Sequence, residues 1–400
     1  MKIELRHNRV AQGADHFVYT MKRQSVPTYI QRSVYRAAHW ETWHWLIKYI
    51  PMIPFWIMHC LRAKSPWFFT AANPTLTFGG YAGESKMEMY SLLPAHTYPN
   101  SFLISPAKSE LEVELLFKST NLTFPVAAKP DVGRMGLMFR KLNSLEELFS
   151  YHRQMKVDYI LQEFVDLPLE VSVFYYRFPN QEKGTITGFV KKERLSVTGD
   201  GVSTLHDLML NYSRVQFRLE EMQVKHAPML HSVIALGEIY VLSEALNLSR
   251  GGQLISLESE KDERLLELFD GLSHAGKFYF GRYDIKCSSI DEIKKGRNYS
   301  ILEFNGTGAE PHHVYGNNNS ILQAIDILLA HWKILYRISV ENNKRGIDYW
   351  SLRRGLRHIQ RANKHIQILK KLEYSTVLPT KTEIKKSYEK DLVLRHYELT

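Results

Sequence analysis

The residues best equipped for chemistry lie on two short segments near residue 300. Gly281-Arg282-Tyr283-Asp284 carries a cation and a carboxylate, and Glu303-Phe304-Asn305-Gly306 carries a carboxylate and an amide oxygen. Phe280-Tyr283-Ile285 and Tyr299-Ile301-Phe304 have the β-branched and aromatic density of strands, and Asp291-Glu292-Ile293-Lys294-Lys295-Gly296 reads as the turn between them. In such a pair Glu303 and Asn305 share a face, because side chains two apart in a strand point the same way, and Asp284 can meet them. Asp284, Glu303 and Asn305 would then offer hard oxygen ligands of the kind Mg²⁺ prefers, with waters and substrate phosphates completing its shell. A polar turn flanked by surface charges is the other reading of these residues alone.

The elements that would have to position this chemistry lie upstream. Phe124–Pro130 is a short apolar strand with Lys129 near its end. Asp131–Arg140 follows as a loop bearing Gly133 and Gly136 and returns into a second strand, a hairpin whose tip could fold over phosphates. Ser144 with Glu147 three residues on predicts a capped helix reaching Met155. Tyr159–Val165 and Glu170–Arg177 read as strands. Gln162-Glu163-Phe164-Val165 could offer backbone groups to an adenine edge, with Glu170 near ribose hydroxyls, and each of these residues taken singly suits an ordinary surface position equally. Phe68–Pro74 reads as a strand, and Gly79–Lys86 as a glycine-rich loop entering a helix from Met87 to Leu93. Farther on come a tight loop at Gly199–Gly201 with Ser203 or Thr204 as a helix cap, a polar loop at Asn247–Gly252 and an amphipathic helix at Asp262–His274.

The chain has 400 residues and a formal charge of +10, enough length for two or three domains with sizeable cores. Residues 1–64 hold ten Lys/Arg against three Asp/Glu, and residues 341–400 hold fourteen against seven, so both ends are basic and the middle is mildly acidic. That distribution suits a polyanionic surface, and the lack of zinc-finger spacing or RNA-binding aromatics favours anionic lipid over nucleic acid. Cys60 and Cys287 are far apart and imply no disulfide framework. The first thirty residues have no apolar stretch of a cleavable signal. The Trp-rich run Trp43–Leu61, which contains Lys48, Pro51 and Pro54, reads as a segment lying in a membrane interface. Its alternatives are a helical hairpin packed on the core, with the prolines making the turn, or a true span. Ile321–Val340 is an amphipathic helix. Residues 350–371 form a basic one, either solvated or membrane-facing.

Taken together, the order of these motifs over roughly residues 80–335 resembles the ATP-grasp superfamily, in particular D-alanyl-D-alanine ligases and the ligase domains of cyanophycin synthetases and bifunctional glutathione synthetases. The resemblance implies an α+β ATP-grasp fold, two subdomains clasping ATP, with the ATP-grasp domain at 126–340; this chain departs from the family in putting a basic Trp-rich segment (1–64) and a reduced N-terminal lobe (65–125) where the family has a full α/β domain, and it ends in a basic helical tail (341–400). It implies that ATP is held by Lys86, Lys129, Gly133, Gly136, Gln162, Glu163, Phe164, Val165 and Glu170, and Mg²⁺ by Asp284, Glu303 and Asn305. Arg282 would stabilise an oxyanion, Lys192 would be a third phosphate-facing cation, and Arg250 would contact substrate in a loop where the family has threonine. Gly199–Thr204 and Asn247–Gly252 resemble the cyanophycin and glutathione group. The implied reaction joins a carboxylate to an amine through an acyl phosphate; the Trp-rich segment and the two basic ends add the expectation of a lipid-linked carboxylate as the alternative to a small one, and of a place in the cytoplasm or on the inner membrane face. An ATP-binding module without turnover, and a ligase acting on a soluble peptide or polymer, are the competing expectations. Glu310, His312 and His313 lie where the family places its acceptor loop, and either amine handling or loop closure would suit them.

Overall fold

The computed structural model describes residues 2–6, 18–22, 40, 43, 45–243, 246, 252–316 and 319–377. In chain order the elements begin with an antiparallel pair, β1 (Lys2–Arg6) and β2 (Val18–Lys22). Then come α1 (Trp45–Tyr49), a 3₁₀ turn at Ile50–Met52, α2 (Ile53–Ala63), α3 (Lys86–Ser91), β3 (Ser101–Ile104), α4 (Glu110–Ser119), β4 (Val126–Pro130), β5 (Arg140–Leu142), α5 (Leu145–Gln154), β6 (Tyr159–Glu163) and β7 (Leu169–Tyr176). Beyond these run β8 (Thr185–Glu193), β9 (Leu195–Thr198), α6 (Leu205–Asn211), α7 (Leu219–Lys225), β10 (Ile239–Ser243), β11 (Gln253–Ser256), α8 (Glu263–Gly276) and β12 (Phe280–Cys287). Last come α9 (Ile290–Lys294), β13 (Tyr299–Asn305), α10 (His313–Gly316), α11 (Ile321–Lys344) and α12 (Leu352–Val377). The fold class is thus α+β.

The chain forms two compact units, one of Met1–Trp56, Val190–Leu257 and His312–Ala330, the other of Ile57–Phe189, Glu258–Pro311 and His331–Thr400. In the first unit, the second half of β8 pairs antiparallel with β11, and β9 with β10. Leu195, Val197, Leu205, Met209, Met222 and Leu242 make its apolar core. In the second unit, one antiparallel sheet has the order β3-β6-β4-β5. Val126, Ala128, Tyr159 and Leu161 of that sheet pack with Leu148 and Tyr151 of α5 and with Ile366 and Leu369 of α12. The other sheet of this unit has β12 paired antiparallel to both β7 and β13.

Local chemistry accounts for the helix starts. The Ser144 hydroxyl accepts the Glu147 N–H at the head of α5, and Asp262 accepts the Leu265 N–H at the head of α8, each relieving a donor that the first helical turn leaves unpaired. Thr204, rather than Ser203, caps α6, and Asp207 completes its capping box. Two expectations are corrected. Asp291–Gly296 is not a simple turn, because Ser289 caps the short helix α9 and Gly296 (φ +66°) follows it in the left-handed region. Phe68–Pro74 is not a strand but a buried 3₁₀ turn at Phe68–Ala71, whose aromatics pack edge-on with Phe78 and one another instead of lining a pleat. Asn73 after that turn is fully buried. Its amide nitrogen donates to the Gly79 and Phe280 carbonyls, and its oxygen accepts the Tyr279 and Phe280 N–H groups. These four bonds fix the entry of β12.

In the Trp-rich stretch, Pro51 lies in the one-turn 3₁₀ link and Pro54 in the first turn of α2, so the prolines sit in helical turns and make no hairpin there. No helix among the described residues is long and apolar enough to cross a membrane.

Candidate active site

The β12/β13 ladder places Arg282 opposite Asn305 and Asp284 opposite Glu303. Arg282 and Asp284 are two apart on β12 and therefore share a face. The guanidinium grips Asp284 with two bonds, Nε to Oδ1 at 3.1 Å and Nη2 to Oδ2 at 3.0 Å, while Nη1 donates to the Glu310 carbonyl at 2.8 Å. Asn305 Nδ2 donates to Asp284 Oδ2 at 3.2 Å and the Ser172 hydroxyl of β7 donates to Oδ1. Both side chains of the ion pair are about nine-tenths buried, at 11% and 9% exposure. A planar, bidentate, hydrogen-bonded pair is the arrangement in which buried opposite charges best offset their lost hydration.

Beside it lies a second charged cluster with a different balance. Lys86, at the start of α3, places Nζ 3.1 Å from Glu303 Oε1 and 3.1 Å from the Gly133 carbonyl. Burial disfavours both charges, yet each outweighs it for the other, so the Lys86 ammonium is held above its ordinary range and the Glu303 carboxylate below its own. Lys129, at the end of β4, donates to Tyr90 Oη at 3.2 Å and to the Leu302 carbonyl at 3.4 Å. Among the described residues no carboxylate lies within ion-pair distance of it. Burial first, and the Lys86 charge second, push it down to about 7.

Tyr90 is the hub of this cluster and had no signal in the sequence. It is buried; its hydroxyl donates to the Leu302 carbonyl at 2.7 Å and accepts from Lys129 and from Gln162 Nε2 at 3.0 Å. Glu84 was missed as well. One of its carboxylate oxygens, Oε2, is buried without a hydrogen-bond partner, and burial raises the proton affinity of the group.

The hinge residues lie at the end of β6. Gln162 turns its amide inward, onto Tyr90 and, at 2.6 Å, onto Ser101 Oγ. The Glu163 N–H donates to the Asn100 carbonyl, and the Val165 carbonyl accepts Lys286 Nζ at 3.0 Å. The Phe164 ring has Lys141 Nζ 4.3 Å from its centroid and Lys286 Nζ 5.8 Å from it. Lys286 also stands opposite Glu170 in the β12/β7 register. The alternation Arg282, Asp284, Lys286 along one strand face is the signal that would have found it.

Lys192 belongs to the first unit, on β8 opposite Leu254. Arg250, and all of the Asn247–Gly252 loop but Gly252, lie outside the described residues. The Gly199–Thr204 loop is organised around Asp200, whose carboxylate accepts the Val202 N–H, the Ser203 N–H and the Ser203 hydroxyl. His313 lies in the first unit, on α10. Thr307 and Gly308, after β13, are pinned through backbone bonds from their N–H groups to the Gly79 and Gly80 carbonyls, at 3.1 and 3.3 Å. A Cβ on Gly306 would sit 2.5 Å from the Gly79 oxygen.

No family model matches the chain, and no curated protein matches it. Among solved structures it is similar to ATP-grasp ligases. A bifunctional glutathione synthetase from Pasteurella multocida aligns at 15% identity and TM-score 0.40, over 63% of this chain and 38% of that one. D-alanine–D-alanine ligase from Bacillus anthracis, also solved in complex with ATP, aligns at 13% and TM-score 0.36, over 66% and 67%. The D-Ala:D-Ser ligase VanG from Enterococcus faecalis aligns at 14% and TM-score 0.35, over 63% and 61%. The chain thus spans well under half the length of the glutathione synthetase.

Proposed function

We propose that the protein is an ATP-dependent ligase that joins a carboxylate to an amine through an acyl phosphate. The observation that carries this reading is the meeting of two ion pairs at one rung of the β12/β13 ladder, where Asp284, paired with Arg282, stands opposite Glu303, paired with Lys86, next to a second buried lysine and a glycine loop. On this reading the β6 hinge from Gln162 to Val165 holds adenine, Glu170 the ribose, and Lys86, Lys129 and the Gly133–Gly136 loop the phosphates. Lys192 would be a further phosphate cation and Arg250 a substrate contact.

The substrate carboxylate attacks the terminal phosphoryl group, forming one P–O bond while the bond to the ADP oxygen breaks. The amine nitrogen then attacks the acyl carbon, phosphate leaves, and the nitrogen proton passes to solvent or a nearby base. Phosphoryl transfer of this kind asks for positioning and charge rather than a protein nucleophile. Lys86 and Lys129 would offset negative charge on the phosphates, and Arg282 would stabilise the oxyanion, a type of contact worth about 2.7–4 kcal/mol in barrier height.

Among the described residues no group of three His, Cys, Asp or Glu side chains could hold a metal by itself. Asp284 and Glu303 nonetheless oppose each other across the ladder and Asn305 adds an amide oxygen, a hard donor set that fits Mg²⁺ sharing its shell with phosphates. Bound there, Mg²⁺ would supply neutralisation of phosphate charge.

The test is ADP release with pooled amino acids and amines, wild type against Glu303→Ala. Release that needs an acid and an amine together and drops about a hundredfold or more in the variant is expected. ATP binding without release under every condition would favour a binding module. A membrane-borne substrate is supported by Ile53, Ile57 and Leu61, spaced four apart on α2 and 45%, 51% and 73% exposed, with Arg62 and Lys64 following. Equal retention of wild type and Ile57→Asp/Leu61→Asp by anionic vesicles would remove that part, leaving a soluble carboxylate.

A further inference from the structure

The basic C-terminal helix is built into the glycine loop. Along α12, Gly355, Ala362, Ile366 and Leu369 are buried while Arg353, Arg354, Arg357, Arg361, Lys364, Lys370 and Lys371 are exposed. The polar residues bordering the buried stripe reach the loop that joins β4 to β5. His365 Nε2 donates to the Val132 carbonyl at 2.8 Å. Glu373 Oε2 accepts the Met138 N–H at 2.7 Å and a bond from Arg140 Nη2 at 3.3 Å. Leu369 packs beside Gly133, its Cδ1 3.5 Å from where a Cβ on that glycine would lie.

These contacts fall at the two ends of the loop. Between them Met135 and Gly136 have φ of +58° and +68°, and Met138 itself has φ of +56°. A non-glycine residue in the left-handed region is strained and persists only where its surroundings hold it. Met138 is held on three sides: its N–H by Glu373, its carbonyl by the Tyr151 hydroxyl at 2.9 Å, and its fully buried side chain by the core. The loop tip is left outside this grip, with the Met135 side chain 65% exposed.

We propose that α12 is the part that sets the glycine loop in position for phosphates, with His365 and Glu373 as positioning residues that act through Val132 and Met138. The inference rests on the reading of this loop as the phosphate-binding element. It separates the two ends of a nucleotide: the hinge residues Gln162–Val165, which would hold the base, are bonded to Tyr90, Ser101, Asn100 and Lys286, whereas the loop that would hold the phosphates is bonded to α12.

The test compares AMP with MgATP by calorimetry on the full chain, for wild type, the double variant His365→Ala/Glu373→Ala, and Glu373→Gln, which keeps an oxygen for the Met138 N–H. Loss of two to three hydrogen bonds at the loop ends is expected to weaken MgATP about tenfold in the double variant, to leave AMP within about twofold, and to place Glu373→Gln between. Equal weakening of AMP and MgATP would reduce α12 to a structural helix and overturn the proposal. Unchanged MgATP affinity would overturn it too, with the nucleotide reading intact. A wild type that binds neither nucleotide would remove both. If the double variant does not fold, Glu373→Gln and His365→Gln are judged by the same ATP-to-AMP ratio.

Discussion

Two charged clusters stand side by side on this ladder, and they are balanced in opposite ways. Arg282 and Asp284 form a closed set, in which the cation, the carboxylate, Asn305 and Ser172 satisfy one another. Lys86, Lys129 and Glu303 form an open one, in which Glu303 is paired with Lys86 and Lys129 leans on neutral oxygens. A closed set holds shape; an open set in a dry place holds affinity for an anion.

Breaking the closed set is expected to have the largest effect. Arg282→Ala strands a buried carboxylate and should lower unfolding free energy by about 3 kcal/mol or more, read by denaturant titration, with ADP release falling about a hundredfold or more. The open set should respond with the opposite sign. Lys129→Met removes a charge that burial disfavours, so stability is expected to hold or rise while MgATP affinity falls at least about tenfold. Destabilisation by that variant would show the Lys129 charge to be satisfied within the protein and erase the contrast.

The pH dependence follows from the same imbalance. Lys129 is pushed down to about 7 by burial and by Lys86, and nearby phosphates would raise it again. Protonation then favours binding, so affinity is full below pH 7 and falls by up to about tenfold per unit above it, with proton uptake at pH 8 that Lys129→Met abolishes. Calorimetry in two buffers of different ionisation enthalpy measures that uptake. The smallest effect is expected from Tyr90→Phe, which removes the acceptor of Lys129 and Gln162 and should cost about 1–2 kcal/mol in thermal or denaturant unfolding.

Much of this arrangement could be read from local sequence because local rules govern it. Alternation placed Glu303 with Asn305 and brought Asp284 to them, the Ser144/Glu147 spacing located α5, and the Lys129-Pro130 strand end led correctly into a loop and a returning strand. What stayed hidden depends on distant partners. Tyr90 gains its role from Leu302, more than two hundred positions away, and Glu373 from Met138 at a similar separation. No window on the sequence contains both members of either pair. Phe68–Pro74 misled for another reason: aromatic density favours strands only when a sheet is there to receive it, and here an aromatic cluster took its place.

The seam between Gly79–Tyr81 and Gly306–Gly308 has a practical consequence for anyone who wishes to redesign the protein. Added Cβ atoms at Gly306 and Gly308 would meet the backbone oxygens of Gly79 and Tyr81, atoms with no rotamer to yield. A mutant library across the loop after Asn305 would therefore return glycine at those two sites and diversity at Ala309 and Glu310.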